Sequence, residues 1–273
     1  MIHAEHISFT YDGSAVPALQ DVSLDIADGE FAAILGHNGC GKSTLARHFN
    51  ALLPLQKGKL TVAGLDVSDE SVLWQLRRKA GMVFQSPDNQ FVSTIVAEDV
   101  AFGLENYGEE EAVISQKVSA ALAAVGMAGF ENRSTHRLSG GQKQRVALAG
   151  VLAMDPELLI FDEATSMLDP GGRREVLSAI SRLHREEGRT VVMITHYVEE
   201  AIHADRIFLL HHGRLIGTGT PREILTDPAL LYEAGLTPPT AVRMYHDLAA
   251  HGVKLSRCPL TNVELVEELC RLQ

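Results

Sequence analysis

The chain has 273 residues, 45% of them hydrophobic, which is enough for one large domain or for a domain with a sizeable appendage. Its formal net charge of -11 argues against a broad nucleic-acid surface, so we expect no nucleic-acid partner. The three cysteines (Cys40, Cys258 and Cys270) lack metal-ligand spacing, and one would remain unpaired in any disulfide scheme, which favours a reducing compartment. We expect no secretory signal, and no apolar run reaches the roughly 18 residues of a membrane-spanning helix.

The first predicted elements are two half-buried strands, at residues 7–11 and 22–26, where apolar and polar residues alternate. Gly13 and Gly29, each preceded by an aspartate, supply the turns that follow. Residues 31–35 form a short continuous apolar run, which predicts a strand buried on both faces.

A complete phosphate-binding loop follows that strand. Residues 36–43 fit the pattern G-x-x-x-x-G-K-[ST] and lead into helix-compatible residues. Backbone N–H groups and a helix N-terminus suit a nucleotide's phosphates, with Lys42 on the β and γ phosphates and the Ser43 hydroxyl on Mg²⁺. Cys40 reads as a tolerated small residue, with a reactive thiol as the minor alternative. The predicted ATP-binding residues of this loop are Gly36, His37, Asn38, Gly39, Cys40, Gly41, Lys42, Ser43 and Thr44.

Gln85 ends a short apolar strand at residues 81–84. Its uncharged amide is a candidate contact for Mg²⁺ or for the attacking water. The Ala- and Glu-rich segment beyond it shows helical periodicity, and we predict an inserted helical subdomain over about residues 93–155.

The segment Ser139-Gly140-Gly141-Gln142 opens a further predicted helix. Ser139 fits an N-cap with Gln142 three residues on, and the two glycines leave backbone amides uncovered. The bland interpretation is an ordinary capped helix start. With a phosphate loop in the same chain, however, a second anion-binding terminus predicts an ATP site shared between two chains arranged head to tail.

Two more apolar runs, at residues 158–161 and 191–194, predict buried strands with a helix at 173–187 between them, hence a parallel sheet. Asp162 and Glu163 follow the first run, where one carboxylate can hold a metal and the next can activate water. His196 follows the second run, at the same edge of the sheet, and is a candidate bridge between the γ-phosphate and Glu163.

The last predicted elements are a hairpin over residues 207–216 and a helical tail. We assign His211 and His212 to the hairpin turn and expect no metal there. From Pro221 onward we predict a small helical appendage over residues 221–273. Its final helix has a capping-box pattern, Thr261 with Glu264, and a predicted apolar face of Val263, Val266, Leu269 and Leu272.

Together these motifs resemble the ATP-binding-cassette (ABC) ATPase family over about residues 1–220. The resemblance implies a P-loop NTPase fold: a mixed sheet core, an antiparallel β subdomain and the inserted helical subdomain. It implies that residues 36–44 are Walker A, residues 158–163 are Walker B and residues 166–169 are the D-loop. It makes Glu163, His196 and Gln85 catalytic, and places Ser43, Gln85 and Asp162 at Mg²⁺. It further implies that Tyr11 stacks on adenine, that Asp169 belongs to the D-loop, and that Ser139, Gly140, Gly141 and Gln142 act in trans as the signature on the partner's ATP.

Residues 73–78, 85–90 and 142–145 are similar to the ATPase subunits of energy-coupling factor (ECF) transporters, and residues 36–39 and 163–169 to the first of their two paralogues. This resemblance implies a second ABC ATPase subunit, a transmembrane T-component, a substrate-binding S-component, and a peripheral place on the cytoplasmic side of the cell membrane. The cargo would be a vitamin or a transition-metal ion. Two departures are Cys40, where serine is commoner, and Tyr197, where an acidic residue usually follows the histidine.

Three alternatives remain. A homodimeric ATPase of another ABC importer would share every catalytic residue. A soluble repair or translation protein would need a long coiled-coil insertion or a second cassette, and the sequence contains neither. A non-hydrolysing regulatory cassette would be expected to lose Glu163 or His196.

Overall fold

The computed structural model describes residues 1–272, whose strands and helices alternate through most of the chain. The strands are β1 (Ile2–Phe9), β2 (Leu19–Ile26), β3 (Phe31–Leu35), β4 (Lys57–Val62), β5 (Leu65–Asp66), β6 (Ala80–Val83), β7 (Leu158–Asp162), β8 (Thr190–Thr195), β9 (Arg206–His211) and β10 (Arg214–Gly219). The helices are α1 (Lys42–Phe49), α2 (Leu73–Lys79), α3 (Val96–Asn106), α4 (Glu111–Ala124), α5 (Gly140–Ala153), α6 (Pro170–Glu187), α7 (Pro221–Leu225), α8 (Pro228–Glu233), α9 (Thr240–Ala250) and α10 (Asn262–Cys270).

The larger sheet has six strands in the order β10-β9-β3-β8-β7-β6. Its neighbours are parallel except for the β9–β10 hairpin, with Phe31 opposite Val191 and Leu158 opposite Thr190. β3, β7 and β8 are buried along their whole length, as their continuous apolar runs predict. The carboxyl ends of these three strands therefore meet at one edge, which positions the residues that follow them.

The second sheet is antiparallel, in the order β2-β1-β4-β5. Its strands alternate buried and exposed residues, so one face packs on a core shared with α1 and the opposite face meets solvent. The first strand runs from Ile2 to Phe9 rather than over residues 7–11, so Tyr11 lies just beyond it. The two sheets with their flanking helices form the mixed α/β architecture that the resemblance implies.

Three helices, α3 to α5, occupy most of the segment between β6 and β7. Their apolar residues, including Val100, Leu122 and Val146, are buried in one cluster that continues into the six-stranded sheet. One side of α5 therefore packs on α3 and α4, and the beginning of α5 packs against α6. Because α6 follows β7, these contacts connect the helical segment to the end of β7.

The C-terminal helices pack on the same molecule. Ile224, Leu231 and Val242 belong to the main core, whereas α9 and α10 share a small separate cluster that includes Leu265. Arg222 of α7 holds α10 through both carboxylate oxygens of Glu264, at 3.0 Å each.

The predicted apolar face of α10 is wrong. Val263, Val266 and Leu272 are exposed, whereas Leu265 and Glu268 face inward and Leu269 is only partly buried. Arg222 and Ser256 fix which face of α10 points inward, and the backbone N–H of Ser256 donates to Glu268. These contacts are long-range, so the helical period of the sequence alone cannot predict them. The capping box is half formed: Thr261 accepts from the Glu264 N–H, but the Glu264 carboxylate accepts from Leu260 instead of Thr261.

No helix within residues 1–272 is both long enough and apolar enough to span a bilayer.

Candidate functional site

The loop between β3 and α1 curls around the side chain of its own lysine. Lys42 is buried, and its ammonium donates to the carbonyls of Gly36 (2.9 Å) and His37 (3.0 Å). Gly41 has φ +107°, and a Cβ there would lie 2.4 Å from the Ala18 carbonyl oxygen. The glycine is therefore required both for the left-handed backbone and for the close approach. Asn38 and Gly39 are exposed at the tip of the loop.

Cys40 lies beneath this loop with its side chain fully buried. Burial raises the pKa of its thiol, against a smaller opposing effect of the Lys42 charge. Because the thiolate is the reactive form, Cys40 fills space in the loop and is poorly suited to be a nucleophile.

Ser43 and Asp162 meet at the beginning of α1. The Ser43 hydroxyl donates to Oδ1 of Asp162 at 2.5 Å, and burial raises the pKa of this carboxyl while the Ser43 hydrogen bond opposes the shift. A hydroxyl and a carboxylate are ligands that Mg²⁺ prefers, and a cation here would offset the cost of burying the carboxylate. The donor set therefore fits the magnesium site predicted from the sequence.

Glu163 lies between two basic groups. Its Oε1 is 3.4 Å from Nζ of Lys42, and its Oε2 is 3.5 Å from Nδ1 of His196. The backbone of Glu163 is left-handed, with φ +50°, and its N–H donates to the Ile194 carbonyl at 3.0 Å. The turn after β7 thus aims the carboxylate at the lysine that would hold the phosphates.

His196 follows β8 and completes this edge of the site. Its Nδ1 is buried, and its ring lies 4.2 Å from that of Tyr197 between centroids. The guanidinium of Arg173 in turn lies 3.9 Å from the Tyr197 ring centroid, a cation–π distance. The aromatic residue at the position where an acid is usual therefore supports the histidine through ring contact.

Gln85 contacts the D-loop. Its amide donates to Oγ of Ser166 at 3.1 Å, and that hydroxyl donates to the Glu163 carbonyl at 2.9 Å. The amide is thereby linked to the backbone of the candidate base. The bond to Ser166 uses the amide nitrogen of Gln85, whereas Mg²⁺ would bind through the amide oxygen.

Tyr11 lies beside the beginning of α1. Its hydroxyl is 3.1 Å from Oγ1 of Thr44, and its ring meets Phe9 edge-on. The ring is 39% exposed, so it has surface available for an aromatic base next to the phosphate loop.

The predicted cap of α5 is present in full. Ser139 accepts from the Gln142 N–H at 3.3 Å, and the Gln142 side chain accepts from the Ser139 N–H at 2.9 Å. Gly141 packs against Gly172 of α6, and Asp169 caps α6 by accepting from the Gly172 N–H at 2.7 Å. The start of α5 therefore contacts the D-loop and α6 of its own chain.

α5 also holds the segment after β6. The buried Gln144 amide donates to the Phe84 carbonyl at 3.0 Å, and Lys143 pairs with Asp88 at 2.5 Å. The contact of Gln144 could not be predicted from the sequence, because its partner lies far away in the chain and nothing in the local pattern marks it.

A buried carboxylate, Glu200, was also missed. It accepts from the hydroxyls of Thr165 and Thr195 at 2.6 Å each and lies 3.6 Å from Nε of Arg173. It therefore joins the turn after β7, the end of β8 and the first turns of α6. Two adjacent acids after a strand, Glu199 and Glu200, were the only local signal of such a role.

Comparison with known proteins agrees with this geometry. The sequence profile of the family described as "ABC transporter" matches residues 19–166. The chain is 47% identical over 274 residues to the energy-coupling factor transporter ATP-binding protein EcfA1 of Caldanaerobacter subterraneus subsp. tengcongensis, covering 99% of each chain. It is 52% identical over 278 residues to the protein of the same name from Symbiobacterium thermophilum, covering 99% of this chain and 97% of the relative.

Solved structures are similar to this chain over most of its length. CbiO1 of Clostridium perfringens, described as part of the ABC transporter complex CbiONQ, has a TM-score of 0.78 and 35% identity over 91% of this chain and 98% of its own. An ATP-binding cassette solved as a dimer in a post-hydrolysis state, with ADP and Pi, has a TM-score of 0.74 and 28% identity over 81% of this chain and 99% of its own. The chain therefore belongs to the ABC transporter family, and the two relatives compared by sequence are energy-coupling factor transporter ATP-binding proteins.

Proposed function

We propose that this chain hydrolyses ATP as the ATPase subunit of an ECF-type importer, which takes up a vitamin or a transition-metal ion. The observation that carries the catalytic part is the placement of Glu163 between Lys42 and His196, next to the Ser43–Asp162 pair. Phosphoryl transfer depends on positioning and on charge stabilisation, and this edge of the sheet has groups for both.

In this proposal the phosphate loop, residues 36–44, binds the triphosphate, and Tyr11 supports the adenine. Ser43 and Asp162 would hold Mg²⁺, with the amide oxygen of Gln85 as a further contact. When bound, the cation supplies positive charge to the phosphate oxygens. Glu163 accepts the proton of the attacking water at its carboxylate, and His196 holds that carboxylate in register with the γ-phosphate.

The second half of the site comes from another chain. The proposal assigns Ser139, Gly140, Gly141 and Gln142 to the γ-phosphate bound by the partner, with Asp169 of the D-loop at the interface. A capped helix start with two uncovered glycines is suited to an anion. The proposed partners are a second ABC ATPase subunit, a transmembrane T-component and a substrate-binding S-component, and the proposed location is the cytoplasmic side of the cell membrane.

The catalytic proposal is tested with Glu163→Gln. We expect the steady-state ATPase rate to fall by about 10²- to 10⁴-fold, the usual contribution of a general base, while ATP binding is retained and a closed dimer accumulates. Glu199→Gln is the matched control, because Glu199 is an exposed acid one turn from the site. An unchanged ATPase rate in Glu163→Gln would remove this residue as the base.

The transport proposal is tested by pull-down from detergent-solubilised membranes. Co-purification with a second ATPase and a small set of membrane proteins supports the ECF assignment. Recovery as a homodimer with the membrane domains of another ABC importer would favour the alternative that shares all the catalytic residues.

A further inference from the structure

The β9–β10 turn and the phosphate loop bring three histidines together. The ring centroid of His37 lies 5.2 Å from those of His211 and His212, which are 4.1 Å from each other. One ligand atom from each ring lies within 4.8 Å of the others, and no other group of histidine, cysteine or acidic residues within residues 1–272 meets this spacing. The sequence predicts the turn, with no metal expected there, but it does not predict the approach of His37 to the turn, which changes that expectation.

The backbone fixes this arrangement. His212 and Gly213 have φ values of +44° and +74°, as a two-residue hairpin turn requires, and a Cβ on Gly213 would lie 2.7 Å from the Ala18 carbonyl oxygen. On the other side, Gly235 packs against the His37 side chain, where an added Cβ would lie 3.3 Å away. The hairpin turn on one side and the chain after α8 on the other thus hold the three imidazoles close together.

Two of the rings have a buried nitrogen without a hydrogen-bond partner. A carbonyl only accepts, so Nδ1 of His37, 2.8 Å from the Asn38 carbonyl, carries the proton and leaves Nε2 with a lone pair. That Nε2, and Nδ1 of His211, are buried and unpaired. His37 therefore has the arrangement of a metal-binding histidine, with one nitrogen on a backbone carbonyl and the other free for a cation.

We propose that His37, His211 and His212 form a binding site for one divalent transition-metal cation of the Zn²⁺, Co²⁺ and Ni²⁺ class, with water in the remaining position. Imidazole nitrogens suit these cations, and three protein ligands with an open position are a common arrangement. Tetrahedral ligands about 2.0–2.1 Å from the metal lie about 3.3 Å apart, so the rings must close slightly. His212 is exposed and has room to do so.

A cation held here links the phosphate loop to the hairpin turn. The site is separate from the oxygen ligands Ser43 and Asp162, and the proposal does not depend on ATP hydrolysis.

The test uses the full-length chain without a histidine tag, stripped of metal and kept free of nucleotide. Co²⁺ and Zn²⁺ are titrated in excess Mg²⁺, which prefers oxygen ligands and so does not compete for imidazole. We expect one cation per chain, with a Co²⁺ absorption spectrum typical of nitrogen ligands. His212→Asn, which tolerates the left-handed backbone, and His211→Gln should each weaken binding by at least about tenfold.

His203→Gln, a change to an exposed histidine outside the cluster, serves as the matched control and should leave the affinity unchanged. Thermal unfolding and ATP binding of each variant show that it is folded, since neither His211 nor His212 belongs to the proposed ATP site. The proposal is overturned if the wild-type chain binds no cation, or if it and both folded cluster variants bind Co²⁺ equally well.

Discussion

Glu163 adopts a backbone conformation that non-glycine residues seldom have, and it does so at the centre of the site. A left-handed residue costs on the order of 1–3 kcal/mol and persists only where its surroundings hold it. Here the bond from its N–H to Ile194 and the Ser166 hydroxyl on its carbonyl provide that hold. This backbone conformation directs the carboxylate toward Lys42 and His196, and the contacts with Ile194 and Ser166 maintain it.

We expect the titration of His48 to change the free energy of unfolding of the chain. His48 is fully buried at the end of α1, it donates from Nδ1 to the Thr44 carbonyl at 2.7 Å, and its ring meets Phe9 edge-on. Burial is the main cause that lowers the pKa of His48 from its ordinary value of 6.5, and two backbone hydrogen bonds oppose it.

Because the folded state disfavours protonated His48, the unfolded state binds the proton more readily. The contribution of neutral His48 is complete above pH 6.5 and is lost as the pH falls below that value toward the lower pKa of the folded state. We expect the free energy of unfolding, measured with urea at pH 7 and pH 5, to fall with a slope of up to about 1.4 kcal/mol per pH unit from this group.

His48→Gln keeps a side-chain donor for Thr44 but does not titrate, so it should lose less stability between pH 7 and pH 5 than the wild-type chain. His246→Gln, at an exposed histidine, should behave as the wild type does. An equal loss in wild type and His48→Gln would mean that another group causes the acid sensitivity.

Among the elements, Glu200 links the turn after β7, the end of β8 and α6. Glu200→Ala leaves two buried hydroxyls and the Arg173 guanidinium without this partner, and we expect it to lower the free energy of unfolding by about 3 kcal/mol. Urea denaturation measures this directly. Glu200→Gln retains one acceptor and should cost less.

Glu199→Ala is the control for that prediction, because its side chain is exposed and its removal leaves the buried hydroxyls paired. If Glu199→Ala and Glu200→Ala were equally mild, the buried carboxylate would not be what holds these three elements together. Loss of ATPase activity without loss of stability in Glu200→Ala would instead point to a role confined to the chemistry.

At the scale of the whole molecule, much of the sheet and its site could be predicted, because local patterns determine them. Continuous apolar runs predict β3, β7 and β8, and the glycine pattern predicts the loop after β3. Parallel strands end at a common edge, so Asp162, Glu163 and His196 could be expected to converge.

The remaining features depend on contacts between distant parts of the chain. Gln144, Glu200 and the three-histidine cluster are defined by partners that no local window contains. The inward face of α10 was mistaken for the same reason, since Arg222 of another helix fixes its rotation. The role of Tyr197, which stands where an acidic residue is usual, depends on the guanidinium of Arg173 over its ring, a contact that the sequence does not reveal.

The proposed two-chain site is a property of the assembly and is tested with Ser139→Arg. Ser139 caps α5 and lies outside the phosphate loop of its own chain, so the isolated variant should bind ATP as the wild type does. In a dimer the arginine would block the γ-phosphate of the partner, and hydrolysis at that partner's loop should stop. Nucleotide binding and ATPase assays of mixed dimers measure the two effects.

Thr220→Arg is the control for loss of a cap, since Thr220 forms the same capping box with Glu223 at the start of α7. Loss of an N-cap costs about 1 kcal/mol in either helix. A difference in ATPase rate between the two variants therefore reflects where the arginine lies and not a difference in stability. Loss of ATP binding by isolated Ser139→Arg, with binding retained in Thr220→Arg, would contradict the two-chain site.

The contacts of α5 connect two distant parts of the molecule. Lys143 and Gln144 grip the stretch that follows β6, while Gly141 abuts the start of α6. We therefore expect a displacement at the exposed Asp88 to reach the beginning of α6 through this single helix. We expect the reverse as well, so that a change at the phosphates alters the surface around Asp88.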